Sequence, residues 1–557
     1  MPPTLPPGVA LGPTTPGRGR SVIATRAYDP GATIATFDGP TVAIPESSHL
    51  ERACSHCLRV KPSSPSTGSS AAPRSIRACT KCRTAHYCST ACQKADWDLA
   101  HGRGECKAMR RARAFAAATL PADAPKYLPT TVRALVQVLV RPEMAAAVAE
   151  MEGHPEKQRG RESKVWFDIQ LQARGSLHYV GREESEENID EVAGIVCKLM
   201  VNSFTMRDTD LDESGLYTNA ALAMINHSCV PNAFVDFVGR TAILHAKRAI
   251  KEGEEIEISY IENTNPRSQR QQALTQYHFT CACPRCKDNL DAYQICQRYP
   301  HLELNTFSIA PDLERLRNPF PYRHPALSKP FQKMADEIDA SCSVSLVGTS
   351  MAERSKEIPR RWKACAQLRK AEAYAVDPLR RVFSEASVYF LELGNIKYSL
   401  ALTCFTLLNS DPFRDPEPFA PQRLKDMFMV TKVLSLTATA PFPSSVGSGE
   451  TAAFTASISE VLDGMKQITV CHTMLKIILH YGEMAHSKEW SLFQHASDLL
   501  TEVESLPGRE TENVLVDAFT KNPNGQGEEY FFKTTVLEPL QKLAEFALEI
   551  MNAEFGT

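Results

Sequence analysis

Cysteine placement constrains this chain more than any other feature. Seventeen cysteines occur in 557 residues, and ten of them fall in two polar groups. In a reducing compartment such clusters read as metal ligands and not as a disulfide framework. The first runs Cys54-x2-Cys57, then after a long gap Cys79-x2-Cys82, then Cys88, Cys92, His101 and Cys106. Cysteines two residues apart can chelate one ion through a tight turn, and cysteines four apart on a helix share a face. Eight such ligands suit two tetrahedral zinc ions closed to water. The order predicts interleaved sites, one from Cys54, Cys57, Cys88 and Cys92 and the other from Cys79, Cys82, His101 and Cys106, with His86 competing for the place of His101. The isolated Cys197, Cys296, Cys342, Cys365, Cys404 and Cys471 read as buried small hydrophobes.

A second group, "CACPRC", supplies Cys281, Cys283 and Cys286 and lacks a fourth ligand. Cys229, in "NHSCVPN", is the nearest unassigned cysteine in a polar context. A third zinc ion is therefore expected there, pinning the segment after Tyr277 against that loop. The same loop read as a His227–Cys229 hydrolase dyad has no partner to orient the histidine.

Length predicts several domains. The composition, 43% hydrophobic and 23% charged, is that of a globular protein, with no apolar run long enough for a membrane span. The proline-rich start resembles neither a secretory signal nor a transit peptide, so cytoplasm and nucleus are the expected locations. Around the first cluster Lys and Arg outnumber Asp and Glu. This is a solvated basic face or a contact for nucleic acid or an acidic peptide, without the aromatic interleaving that base stacking needs.

Residues 20–45 mix β-branched residues with a Pro-Gly turn and predict short strands, as do "AFVDFVGRTAILHAKRAI" and "EEIEISYIE". Between them, "MRRARAFAAATL", "TVRALVQVLV" and "EVAGIVCKLMVNSF" have helical spacing. Beyond Leu290 the text is helical. Val382, Ala386, Tyr389, Phe390 and Leu393 share one face, Gly394-Asn395 breaks the helix, and Ala401, Cys404, Leu407 and Leu408 form a second face. "TATAPFPSSVGSGETAA", from Thr437, reads as a loop.

"YCSTACQKADWDLAH" resembles the MYND zinc finger, with four residues instead of the usual three between His101 and Cys106. "NHSCVPN", "GEEIEISY" and "YHFTCACPRC" together resemble a SET domain with its cysteine-rich post-SET tail, and the whole resembles the SET and MYND domain family of protein lysine methyltransferases. The resemblance implies an α+β multidomain fold. Its parts would be a disordered tail at 1–15, SET segments at 16–53 and 201–262, a MYND finger at 54–106 and a helical insertion at 107–200. A post-SET segment at 277–290 and a tetratricopeptide-like helical domain at 291–557 would follow.

It further implies a protein-lysine N-methyltransferase using S-adenosylmethionine and three zinc ions. Tyr260 would be the catalytic tyrosine. Gly17, Arg18, Gly19, Glu152, Asn202, Asn226, His227 and Phe279 would hold the cofactor together with Tyr260, and Tyr277 would line the lysine channel. Expected partners are a substrate protein with a target lysine and peptides bound by the finger, the chain acting as a monomer. The rival expectation is a catalytically inactive, zinc-dependent scaffold.

Overall fold

Runs in which β-branched residues alternate across a pleat form the first part of the chain, and the strands they make pair across long inserts. The computed structural model describes residues 3–14, 18–60, 76–121, 124–159, 163–208, 212–299, 328–346, 348–439 and 450–556. It separates into one unit of Met1–Ile261 with Ala273–Cys281 and another of Glu262–Gln272 with Ala282–Thr557.

In the first unit β1 (Val9–Leu11) pairs antiparallel with β2 (Val22–Ala24). The stretch expected to be a disordered tail thus carries a strand, because "GVAL" offers an apolar run whose Val9 is buried. The strand β3 (Thr33–Phe37) pairs with β11 (Thr241–Ala246), itself paired with β10 (Ala233–Val238). The two-residue hairpin of β10 and β11 turns at Gly239, whose φ is 61°. That left-handed conformation, with Cys57 O 2.8 Å from where a Cβ would stand, requires glycine there.

The strand β4 (Val42–Pro45) pairs with β8 (Glu213–Thr218), and β8 with β7 (Ser203–Arg207), so a sheet closes across everything between Pro45 and Ser203. Alternation along β4 explains how the helical insertion is held. Ala43 points into the core of the strand region, while Val42 and Ile44 pack with Ala134, Leu135, Val138 and Leu139 of helix Thr130–Leu139. Two buried arginines reach carbonyls at the ends of β4, Arg133 Nη2 donating to Pro45 O at 2.6 Å and Arg141 Nη2 to Thr41 O, just before the strand, at 2.6 Å. Burial lowers the pKa of Arg133 to about 10, still charged at neutral pH.

The cysteine-rich insert carries β5 (Arg77–Ala78), β6 (His86–Tyr87), helix Thr90–Asp96 and a π-helical stretch at Trp97–Glu105. Finally β9 (Asn226–His227) and β12 (Glu257–Ile258) run parallel, with Asn226 opposite Glu257 and His227 opposite Ile258.

The second unit is helical among its described residues. Helices Leu379–Glu392 and Ile396–Asn409 form the expected pair, separated at Gly394 with φ 78° and capped by Asn395 Oδ1 accepting from Tyr398 N. Val382, Ala386, Phe390, Ala401, Cys404, Leu407 and Leu408 are buried as expected, with two differences. Leu393 is 56% exposed and Phe383 takes a buried place, while Ile396–Asn409 is buried from Tyr398 to Leu408 on every side. A helix apolar all round lies inside a bundle, where a face cannot be defined. The loop expected from Thr437 is narrower at both ends. Helix Pro421–Thr439 includes its start, helix Glu450–Gly464 includes its end, and 440–449 lie outside the described residues. No described helix is long and apolar enough to cross a membrane.

Candidate active site and metal clusters

The eight expected finger ligands gather in two groups, Cys54, Cys57, Cys88 and Cys92, and Cys79, Cys82, His101 and Cys106, the ligand atoms of each within 4.8 Å of one another. Measured separations are 3.7 Å for Cys57–Cys88, 3.6 Å for Cys88–Cys92, 4.0 Å for Cys79–Cys106 and 3.6 Å from Cys82 Sγ to His101 Nε2. With Zn–S bonds of about 2.3 Å, the edge of a tetrahedron is about 3.8 Å, so both donor sets fit zinc. His86 stays outside the groups, its Nδ1 on Thr84 O at 2.9 Å.

The unusual His101–Cys106 spacing is absorbed by the π-helical stretch, in which Gly104 adopts φ 149°. The extra residue turns Glu105 inward. Its Oε2 accepts from His101 Nδ1 at 2.9 Å and its Oε1 from Gln137 Nε2 at 3.0 Å. This buried carboxylate fixes the ring so that Nε2 faces the sulphurs. Sequence reading missed Glu105, although an acid four residues after a ligating histidine on a helix was a signal for it.

Of the ligands expected for a third ion, Cys229 and Cys281 lie within the first unit with their sulphurs 4.0 Å apart.

Around the β9–β12 pair Tyr260, His227, Tyr277, Phe279, Asn226 and Arg18 converge. Tyr260 N donates to His227 Nδ1 at 3.0 Å, and Tyr260 Oη donates to Ile225 O at 2.6 Å. Burial, then the neighbouring Tyr277, raise the pKa of the Tyr260 hydroxyl, so it keeps its proton at neutral pH. Its ring lies 4.9 Å from that of Tyr277, 5.2 Å from His227 and 6.5 Å from Phe279. Phe279 is 38% exposed and offers a flat apolar ring at the rim.

Asn226 Nδ2 donates to Arg20 O and to Glu255 Oε1, both at 2.9 Å. Arg18 pairs with Glu257 and stands 3.7 Å from Glu255, and its Nη2 reaches His227 O at 3.5 Å. Sequence reading did not single out those two glutamates, which sit inside the quoted "GEEIEISY". Gly19 has φ 75° and open space where a Cβ would be. Gly17 lies outside the described residues.

Asn202 Nδ2 donates to Glu152 O at 2.7 Å, bringing two distant expected residues together, while the Glu152 side chain points outward. Beside them His154 and His278, both at positive φ, meet edge to face at 5.4 Å.

The SET domain family model matches residues 19–261. The chain is 32% identical over 246 residues to the SET domain and MYND-type zinc finger protein 6 of Schizosaccharomyces pombe, covering 44% of this chain and 45% of that one. Residues 19–261 thus match a SET domain. Other similar proteins are histone-lysine N-methyltransferase ASHR1 of Arabidopsis thaliana, 26% identical over 49% of this chain and 54% of its own, and N-lysine methyltransferase SMYD2 of Gallus gallus, 29% identical over 49% and 58%. The chain spans about half the length of these relatives. A solved SET domain of LSMT bound to lysine and AdoHcy superposes with a TM-score of 0.20 at 10% identity over 94% of both chains, too loosely to bear on the fold. The cysteine-rich insert lies within the first unit and inside the matched residues, between β4 and the strands that return to it.

Proposed function

We propose that the chain is a protein-lysine N-methyltransferase that uses S-adenosylmethionine. One observation carries this reading: the parallel pairing of β9 and β12 sets Tyr260 beside Tyr277 and Phe279 and next to His227. S-adenosylmethionine supplies a sulfonium methyl, and the protein supplies position and a dry passage. The residues suit such a guest. Phe279 presents a ring face for an adenine, Gly19 leaves its backbone approachable, and the Asn226 amide and the His227 carbonyl stand beside them in β9.

Because the Tyr260 hydroxyl stays protonated, it does not act as the base; the lysine amine enters neutral, its proton already given to water. Tyr260 Oη donates to Ile225 O and keeps its lone pairs for polar contacts with the reacting groups. The rings of Tyr260 and Tyr277 would flank an unbranched alkyl stem and exclude water. The substrates proposed are protein segments that present a free lysine, histone tails among them. The inactive-scaffold reading is disfavoured by the intact set of Asn226, His227 and Tyr260.

Incubating the full chain with tritiated S-adenosylmethionine and a cell lysate tests the reading. Label on discrete protein bands, recovered as methyl-lysine after hydrolysis, is expected. Absence of label together with absence of calorimetric cofactor binding would leave the scaffold.

A further inference from the structure

His227 has been read as a cofactor residue, yet its ring is occupied elsewhere. Tyr260 N donates to Nδ1 at 3.0 Å, which puts the ring proton on Nε2, and Nε2 lies 3.2 Å from Cys229 Sγ. His227 is buried and Cys229 fully so. A thiolate that binds a metal is a good acceptor for such an N–H, and partners of this kind tune and orient the ligands they touch. The other end of the ring fixes the main chain of Tyr260, whose hydroxyl must meet the reacting groups to within a fraction of an ångström.

We infer that the His227 imidazole is a positioning residue that ties the sulphur of Cys229 to the backbone of Tyr260, so that the post-SET metal group and the catalytic hydroxyl are set by one ring. The main-chain carbonyl of His227, which Arg18 approaches, is left for the cofactor side of the loop. The imidazole makes no contact with a substrate in this scheme; it acts through Tyr260. The inference rests on the methyltransferase reading for its kinetic half and on geometry alone for its metal half.

Two amide substitutions divide the ring's tasks. In His227→Asn the amide oxygen can stand near the Nδ1 position and accept from Tyr260 N–H, but it does not extend to Cys229. In His227→Gln the amide nitrogen can reach the Nε2 position near the sulphur, and the acceptor for Tyr260 is lost. Full-length protein and both variants are compared by zinc content, by the rate at which a chelator strips zinc, by calorimetric Kd for S-adenosylmethionine and by methyl transfer.

The Gln variant is expected to transfer methyl groups at least ten-fold more slowly than the Asn variant, with the loss in kcat and not in cofactor KM. The Asn variant is expected to release one zinc of three about ten-fold faster than the Gln variant. Equal rates and equal zinc release in the two variants would overturn the relay, as would loss of zinc, cofactor binding and turnover together in both. Should the unmodified protein neither bind cofactor nor transfer methyl groups, the methyltransferase reading fails by itself, and the zinc-release comparison still decides whether His227 steadies Cys229.

Discussion

Tyr260 combines a ring packed against the strand core with a hydroxyl committed to Ile225 O. Tyr260→Phe keeps the ring and removes the polar group, so fold, three zinc ions and cofactor Kd should persist while kcat falls by about 10². Asn226→Ala should instead raise the cofactor Kd, because it removes an amide that braces the loop in the ground state. Isothermal titration beside steady-state kinetics separates the two.

His245 makes a pH prediction. It is 4% exposed and stacks on Phe234 at 5.2 Å, and burial lowers its pKa to about 4. The unfolded chain, with an ordinary histidine near 6.5, then binds more protons than the folded one between those values, so stability falls as pH drops from about 6.5 toward 4. The loss is on the order of 3 kcal/mol. Denaturant melts of His245→Phe should show a shallower decline over that range, and an unchanged slope would contradict the assignment.

At the scale of elements, the finger shows why spacing was legible and shape was not. Ligand residues keep their chemistry whatever the backbone does, so the interleaved groups could be read from sequence order. The π-helical stretch that makes room for one extra residue could not, because it depends on Gly104 passing Val140. A Cβ on Gly104 would stand 2.9 Å from Val140 Cγ1 at a φ that side chains rarely adopt. Gly104→Ala should therefore cost about 1–3 kcal/mol and lower zinc content by one ion per chain, measured by thermal melts and elemental analysis.

The helix pair teaches a related lesson. Its break at Gly394 and the buried Val382, Ala386 and Phe390 were legible, whereas Ile396–Asn409 is buried on every side and leaves periodicity no face to find. Leu393→Lys should change stability by less than about 0.5 kcal/mol, whereas Phe383→Ala should cost about 3–5 kcal/mol in denaturant melts.

For the whole molecule, the order of strands, finger, helices and returning strands was legible because each insert changes periodicity or cysteine content. What tertiary pairing decides was not. The strand at Val9–Leu11 exists only because Val22–Ala24 pairs with it, and the glutamates that hold Arg18 lie more than 200 residues from it in sequence.

The catalytic reading is the central claim, and label placement tests it most directly. The full chain and its Tyr260→Phe variant are each incubated with tritiated S-adenosylmethionine and lysate proteins, and the acid hydrolysates are resolved by amino acid. The account predicts label in methyl-lysine for the unmodified chain and about a hundred-fold less for the variant at equal cofactor occupancy. Label on another amino acid, or equal labelling by the two proteins, would contradict it.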